Sequence, residues 1–179
     1  MDMTTGHVFI ATSLDGFVAR KDHDLDWLMR QDTTGEDHGY EAFMAGVDGL
    51  IMGSNSFRKV LSFEPWPYEK PVVVMSQRLT PAEVPEALGD RVRLSREQPA
   101  ALMASLAQEG WRRAYVDGGQ VIQSFLRAGL IEDMILTVVP VLIGEGLRLF
   151  GPLDQDQSLK LLASKSFPSG LVRNHYQVV

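Results

Sequence analysis

Short apolar runs and amphipathic segments alternate along this chain, and the alternation predicts its fold. Runs of strand length lie between segments whose apolar residues recur every three or four positions, as expected of amphipathic helices. Strands are predicted at 7–12, 49–53, 71–75, 91–94, 114–117 and 134–139, and helices at 25–29, 40–45, 54–61, 98–109 and 120–128. The last two apolar runs, 159–167 and 171–179, flank Pro168-Ser169-Gly170 and predict an antiparallel hairpin.

This order of elements predicts an α/β protein. Strands that alternate with helices up to Val139 favour a mostly parallel central sheet with helices on both faces and an antiparallel C-terminal edge. Ligands of such sheets bind beyond the carboxyl ends of the strands. Glycine or small polar residues occur at three of these ends, in Met52-Gly53-Ser54, Met75-Ser76-Gln77 and Asp117-Gly118-Gly119. We therefore expect a phosphate-rich ligand to lie across the sheet.

Each of these strand ends also has a simpler interpretation. The pair Gly118-Gly119 lets backbone N–H groups approach an anion at a helix start, but a tight turn without a ligand fits the same residues. Ser54, Asn55 and Ser56 suit either a phosphate or ordinary helix capping. The common dinucleotide-binding fingerprint is missing, since no Gly-x-Gly-x-x-Gly follows the first predicted strand.

Composition and charge exclude several classes of function. The 179 residues, 45% of them hydrophobic, fit a single domain over residues 1–179. The formal net charge of −6, without a basic cluster, argues against nucleic acid or an anionic membrane as a partner. There is no cysteine, which excludes disulfides and thiol chemistry. Neither a signal-peptide pattern nor an apolar run of roughly 18 residues occurs, so we expect a cytoplasmic protein, and we predict no metal site.

Several segments together resemble the dihydrofolate reductase superfamily, most closely the branch that contains the reductase domain of riboflavin biosynthesis. Ala11–Gly16 resembles the first strand and turn of that branch, and Ile51–Phe57 resembles the Met-Gly segment of dihydrofolate reductases. Val116–Gly119 resembles the glycine-pair strand end of the family, and residues 130–140, 144–146 and 149–150 match the riboflavin branch best. The resemblance implies a dihydrofolate-reductase-like three-layer fold.

The resemblance also implies an NADPH-dependent reductase that transfers hydride to a C=N or C=O carbon of a small-molecule substrate. NADH is not excluded, because Ser54 stands where the family usually has a basic residue. Arg78 is the candidate contact for the 2′-phosphate, and Ile122 would reach the nicotinamide. The implied contacts are Ala11, Val18 and Ala19 at the nicotinamide, Gly53, Ser54, Asn55 and Ser56 at the phosphates, Ser76, Gln77 and Arg78 at the adenosine end, and Gly118, Gly119, Gln120, Val121 and Ile122 at the pyrophosphate.

The catalytic acid implied by the resemblance is Asp24. It takes the position of the acid that binds the pterin in dihydrofolate reductases, and Thr137 matches the threonine that hydrogen-bonds that acid. Trp27 and Leu28 would contact the substrate. A protonated carboxyl assists hydride addition to C=N, and partial burial beside an apolar ring should raise the pKa of Asp24. From the residues alone, a structural role fits as well as a catalytic one: Asp24 would be the N-cap of the helix that begins here, and Asp26 a first-turn carboxylate stabilised by the helix dipole.

The substrate and partners leave alternatives open. The riboflavin branch reduces a phosphorylated ribosylaminopyrimidine, 5-amino-6-(5-phosphoribosylamino)uracil, whereas the wider superfamily reduces dihydrofolate, a pterin. Arg20, Lys21 and Arg148 are candidate anchors for a substrate phosphate, or ordinary surface charges. A nucleotide-binding domain without turnover is the competing interpretation. From the family we expect a homodimer.

Overall fold

An eight-stranded mixed sheet and a separate two-stranded ribbon form the β-structure of the computed structural model, which describes residues 2–179. The ribbon consists of β2 and β8, and the other strands belong to the sheet. In chain order the strands are β1 (Thr5–Ser13), β2 (Phe17–Ala19), β3 (Gly49–Gly53), β4 (Val72–Met75), β5 (Val92–Ser95), β6 (Arg113–Asp117), β7 (Ile131–Val139), β8 (Leu147–Arg148), β9 (Leu159–Ser166) and β10 (Val172–Val178).

The order of the strands in the sheet is β5-β4-β3-β6-β1-β7-β10-β9, which confirms the predicted architecture. All neighbouring pairs from β5 to β7 are parallel, and β10 and β9 complete the sheet as an antiparallel hairpin. β1 lies in the middle, between β6 and β7. The carboxyl ends of the parallel strands therefore meet at one edge of the sheet.

The helices are short and follow the strands as predicted. They are α1 (Asp26–Met29), α2 (Tyr40–Ala45), α3 (Ser54–Leu61), α4 (Pro99–Gln108) and α5 (Gly119–Arg127), and two 3₁₀ segments, Pro81–Glu83 and Glu86–Arg91, occupy the loop before β5. Within residues 2–179, none of the helices has the length and apolar character needed to cross a membrane.

Different helices cover the two faces of the sheet. Val8 of β1 packs in one core with Leu102 of α4 and Phe125 of α5. The side chain of Phe9 points to the opposite face, because successive residues of a strand alternate, and it packs in a second core with Phe57 of α3.

The short helix α1 lies on the same face as α3. Ala11 follows Phe9 by two residues on β1, so both side chains point to one face of the sheet. Ala11 packs against Trp27 of α1 in a third core that also contains Val139 of β7. One face of the sheet thus carries α1 and α3, and the other carries α4 and α5.

The β2–β8 ribbon was not predicted from the sequence. Strands of three and two residues are too short to show a hydrophobic period. Contacts between distant segments hold the ribbon instead. The backbone N–H of Leu149 donates to the carbonyl of Gly16 at 3.1 Å, and the Asp15 carboxylate accepts hydrogen bonds from the N–H groups of Ile143 and Gly144 at 3.3 and 2.9 Å.

Candidate active site

A cleft of about 840 Å³ opens at the carboxyl ends of the parallel strands. The ends of β1, β3, β4, β5 and β6 line it, together with the first turns of α3 and α5. The β2–β8 ribbon forms one wall, and Leu25 and Leu28 at α1 contribute to another. The cleft occupies the place at which ligands bind in sheets of this topology.

The cleft brings together most of the residues that the sequence assigned to a cofactor. The three polar strand ends, which lie far apart in the chain, line the same cavity. The predicted residues that line it are Ala11, Val18, Ala19, Gly53, Ser54, Asn55, Ser56, Ser76, Gln77, Gly118, Gly119, Gln120 and Val121.

Two helices begin at the cleft with free backbone N–H groups. α3 follows Gly53 and α5 follows Gly118, and in the described part of the chain no side chain caps either start. The starts lie close together, because a Cβ atom on Gly118 would be 2.7 Å from Ser56 Oγ. Unpaired N–H groups and the positive ends of the helix dipoles favour phosphate at such a place. This arrangement is suited to a pyrophosphate between α3 and α5.

The glycine pair is required by the backbone at this point. Gly118 has a φ of 96°, a conformation that residues with a Cβ atom rarely adopt. Gly119 lies against the ribbon, where a Cβ atom would be 2.9 Å from the carbonyl oxygen of Arg148. Both glycines therefore keep the backbone of this turn open towards the cleft.

Two of the predicted cofactor residues do not line the cleft. Ile122 is fully buried in the core under α5, because it lies on the apolar face of that helix, so its predicted approach to the nicotinamide is not supported. Arg78 is exposed beyond the end of β4, and its backbone N–H donates to Ser76 Oγ at 3.2 Å. Its predicted contact with a 2′-phosphate stays a prediction.

The predicted pairing of Asp24 with Thr137 is not formed. Asp24 is exposed, and its carboxylate accepts a hydrogen bond from the backbone N–H of Asp26 at 3.2 Å, as a residue that stabilises a helix start does. Thr137 is buried on β7 beside Ala11 of β1 and Arg173 of β10. No hydrogen bond within residues 2–179 joins the two side chains. The partly buried environment expected for Asp24 is therefore absent.

The two predicted substrate residues are placed differently. Leu28 lines the cleft. Trp27 is fully buried under α1, where Phe167 and Leu171 of the C-terminal segment cover it together with Val139. The prediction for Trp27 does not hold, because this side chain is buried in the core beneath α1 and does not line the cleft.

The predicted phosphate anchors on the surface are engaged elsewhere. Arg20 Nε lies 2.5 Å from a carboxylate oxygen of Asp26, and Lys21 Nζ lies 2.9 Å from Glu145. The guanidinium of Arg148 stacks over the ring of Phe17 at 4.7 Å. These placements favour the interpretation of Arg20 and Lys21 as surface charges, whereas Arg148 lines the cleft with its guanidinium held over Phe17.

Asp117 is a candidate catalytic residue that the sequence reasoning did not select. It ends β6, lines the cleft and is half-buried there. Burial raises the pKa of its carboxyl to about 6, and a hydrogen bond from the N–H of Gly118, at 3.0 Å, opposes that rise. Its signal in the sequence is an acid at the end of an apolar strand, directly before the glycine pair.

Three tyrosines surround Asp117. Tyr68 lines the cleft, Tyr40 lies at the start of α2, and the hydroxyl of Tyr115 donates to the carbonyl of Phe9 at 2.9 Å. Burial, and next the negative charge of Asp117, raise the pKa of each tyrosine. The phenols therefore stay protonated at neutral pH, and Tyr68 can donate a hydrogen bond into the cleft.

Comparisons with known proteins agree on one family. The family model of the RibD C-terminal domain matches residues 4–173. The uncharacterised protein YwjB of Bacillus subtilis (strain 168) is 32% identical over 173 residues, which cover 94% of this chain and 95% of that protein. The crystal structure of a protein from Shewanella sp. PV-4, described there as a riboflavin biosynthesis protein, has a TM-score of 0.91. Its sequence is 40% identical to this one, and the match covers 98% of this chain and 99% of the other.

A more distant structure shares the fold. The deaminase/5-amino-6-(5-phosphoribosylamino)uracil reductase of Thermotoga maritima has a TM-score of 0.76 at 13% identity, covering 99% of this chain and 57% of that one. The resemblance found in the sequence is thus confirmed. Related RibD reductase domains are oxidoreductases. This chain belongs to the RibD C-terminal domain family.

Proposed function

We propose that this protein is an NADPH-dependent reductase that transfers hydride to a ribosylaminopyrimidine. The observation that carries the proposal is the meeting, in one cleft, of two uncapped helix starts and the half-buried acid Asp117. The helix starts suit a dinucleotide, and the acid suits proton transfer. RibD-type reductases use NADPH, which supports a nicotinamide cofactor in general.

The residues of the cleft fit such a cofactor. Gly118 and Gly119 suit a phosphate cradle, because a Cβ atom would meet Ser56 Oγ at the first position and the carbonyl oxygen of Arg148 at the second, so glycine keeps this backbone close to both. Ser54 and Ser56 at the start of α3 would hold the pyrophosphate from the other side. Ala11, Val18 and Ala19 would hold the nicotinamide, while Ser76, Gln77 and the exposed Arg78 would hold the adenosine end. When bound, the cofactor supplies the hydride.

We assign proton transfer to Asp117 in place of Asp24. Reduction of C=N adds a hydride to carbon and a proton to nitrogen, so the reaction needs an acid beside the acceptor. Asp117 lines the cleft, and at a pKa of about 6 a part of it is protonated near neutral pH. It would donate its proton to the acceptor nitrogen or oxygen and then recover one from solvent. Tyr68, a neutral phenol in the same cleft, would orient the acceptor by a hydrogen bond.

We propose 5-amino-6-(5-phosphoribosylamino)uracil as the acceptor. Support comes from membership of the RibD C-terminal domain family and from the reductase activity in the name of the related Thermotoga maritima protein. The apolar residues Leu25, Leu28 and Val60 line the cleft and suit one face of a planar heterocycle.

Dinucleotide binding and turnover test the proposed function directly. NADPH and NADH are titrated against the purified protein by fluorescence, and cofactor oxidation is then followed by absorbance with the aminouracil or with dihydrofolate. We expect NADPH to bind and to be oxidised in the presence of the aminouracil. If neither dinucleotide binds, the proposed function is wrong. Binding without oxidation of any acceptor would favour a nucleotide-binding domain that lacks turnover.

We also infer a homodimer, from the exposed C-terminal hairpin. Every residue of β9 is exposed and every residue of β10 is half-buried, although both strands belong to the sheet. The exposed residues include the apolar side chains of Leu159, Leu161 and Leu162. An exposed apolar patch of this kind supports association with a second copy. Light scattering after size exclusion should give twice the mass of one chain, and Leu161→Asp should give a monomer. A monomeric wild-type protein would contradict the inference.

A further inference from the structure

One face of α3 borders the cleft along the whole length of the helix. Ser56, Lys59 and Val60 recur at helical spacing, Phe63 follows just beyond the end of the helix, and all four line the cavity. Ser56 lies in the first turn, next to Gly118. At a rise of about 1.5 Å per residue, Lys59 lies one turn further from the proposed pyrophosphate position. This face therefore extends beyond the part of the cleft proposed for the phosphates.

Lys59 of α3 lines the cleft together with residues of α1. Both helices are on the same face of the sheet, and His23, Leu25 and Leu28 at α1 line the cleft as well. The residues of α5 that line it, which include Gln120 and Ser124, come from the opposite face. We refer to the part of the cleft lined by α1 and α3, outside the strip between the two helix starts, as its second compartment, and its walls are mostly apolar.

Lys59 is a half-buried cation without a partner in this compartment. Among residues 2–179, no carboxylate forms an ion pair with its ammonium group. Glu97, an acid at the β5 end of the cleft, already accepts hydrogen bonds from Ser105 at 2.8 Å and Ser95 at 3.3 Å. A cation beside a cleft that no carboxylate neutralises attracts anionic ligands to that part of the cleft.

The other permanent cation along the cleft is directed elsewhere. The guanidinium of Arg148 stacks over Phe17 and lies near Gly16, and neither of these residues lines the cleft. Arg58, next to Lys59 on α3, points away from the cleft, and its guanidinium lies 3.8 Å from the carboxylate of Glu83. Lys59 is therefore the cation that a ligand between α1 and α3 would meet.

We propose that Lys59 binds an anionic group, a phosphate or a carboxylate, carried by the acceptor. This inference rests on the proposed reductase function and adds the residue that selects the acceptor. The planar ring of the acceptor would lie towards Asp117, and its charged end would reach the ammonium group of Lys59. Lys59 is then a specificity-determining residue, which acts on acceptor affinity and takes no part in hydride or proton transfer.

Steady-state kinetics of Lys59→Gln test the proposal with matched acceptors. Loss of a charge-assisted contact should raise KM for the phosphorylated aminouracil about 10- to 100-fold. We expect kcat and KM for NADPH to stay near the wild-type values, and KM for the dephosphorylated aminouracil not to change. Lys59→Arg should restore most of the affinity. Arg58→Gln, which removes the same charge from the neighbouring position, should behave like the wild type.

The outcomes separate this proposal from the function on which it rests. If Lys59→Gln weakens phosphorylated and dephosphorylated acceptors equally, or weakens NADPH instead, the proposal is overturned. An effect confined to dihydrofolate would support the proposal and identify the anion as a carboxylate. Calorimetric titration with ribose 5-phosphate tests Lys59 even if no acceptor is reduced. The wild type should bind this probe and Lys59→Gln should not, and equal binding by both would refute the role of Lys59.

Discussion

Replacing Asp117 with asparagine should lower kcat about 10²- to 10⁴-fold, the usual contribution of a general acid, while NADPH affinity stays near the wild-type value. The amide keeps the shape of the side chain but donates no proton to the acceptor. The control is Asp24→Asn. The Asp24 carboxylate is exposed and accepts a hydrogen bond from the start of α1, so this variant should keep most of the activity. A large loss with Asp24→Asn and a small one with Asp117→Asn would reverse the assignment.

The pH profile gives a second test of the same residue. Burial raises the pKa of Asp117 to about 6, so the carboxyl is protonated below that pH and ionised above it. Because the acid acts in its protonated form, kcat of the wild type should fall as the pH rises through this value. The profile of Asp117→Asn should lack this limb. Deuterated NADPH should be used in parallel, since an isotope effect shows that hydride transfer is the step being measured.

Asp117→Asn should also make the protein more stable near neutral pH. The pKa of this acid is 3.8 unfolded and about 6 folded, so the unfolded state releases the proton more readily. The wild type therefore loses stability as the pH rises from 3.8 to about 6, by about 1–3 kcal/mol. Thermal unfolding should show a higher midpoint for the variant at pH 7, with the difference disappearing below pH 4. A constant difference at all pH values would point to packing, not ionisation.

Gly118→Ala should raise the Kd for NADPH by about an order of magnitude or more, because the positive φ of this turn costs a residue with a Cβ atom about 1–3 kcal/mol and relief of that strain would move the backbone that borders the cleft. The new methyl would also lie 2.7 Å from Ser56 Oγ, so the serine must turn away from the position proposed for the pyrophosphate. Fluorescence titration measures the affinity, and circular dichroism checks the fold.

A matched variant separates strain from a direct effect on the cleft. Gly129, at the end of α5, also has a positive φ, 69°, and nothing lies within 4 Å of a Cβ atom placed there. Gly129→Ala should lose stability to a similar degree and keep its affinity for NADPH. If Gly118→Ala binds NADPH as the wild type does, the cofactor does not use this turn.

The main elements of the fold follow from local sequence. Runs such as Val72–Met75 are apolar throughout because the strands are covered on both faces, and they are therefore visible without any knowledge of the partners. The glycine pair at α5 and the polar start of α3 are local as well, so the sequence predicted their places at the strand ends. The ribbon was missed because contacts between distant residues, such as that of Asp15 with Gly144, hold it. The local pattern of hydrophobic residues does not depend on such contacts.

The identity of the acid depended on packing between distant residues. Asp24 matches the position of an acid in dihydrofolate reductases, but the loop before α1 leaves it exposed. Asp117 is half-buried because β6 lies inside the sheet, beside β1 and β3, and because Tyr68 comes close from the loop after α3. Trp27 is enclosed by Phe167 and Leu171, about 140 residues later in the chain. Such burial is a tertiary property and cannot be deduced from the neighbours in sequence.

The central position of β1 has a consequence for biosynthesis. Among the strands of the sheet this one is synthesised before its partners, since Thr5 pairs with Arg113 of β6, and Val8 pairs with Met134 of β7. Until those residues are synthesised, the middle of the sheet has no neighbours, and the nascent chain exposes a long apolar strand. Contacts so distant in sequence close slowly, because large loops must be ordered first. We therefore expect β1 to be prone to aggregation in the nascent chain until β7 has emerged.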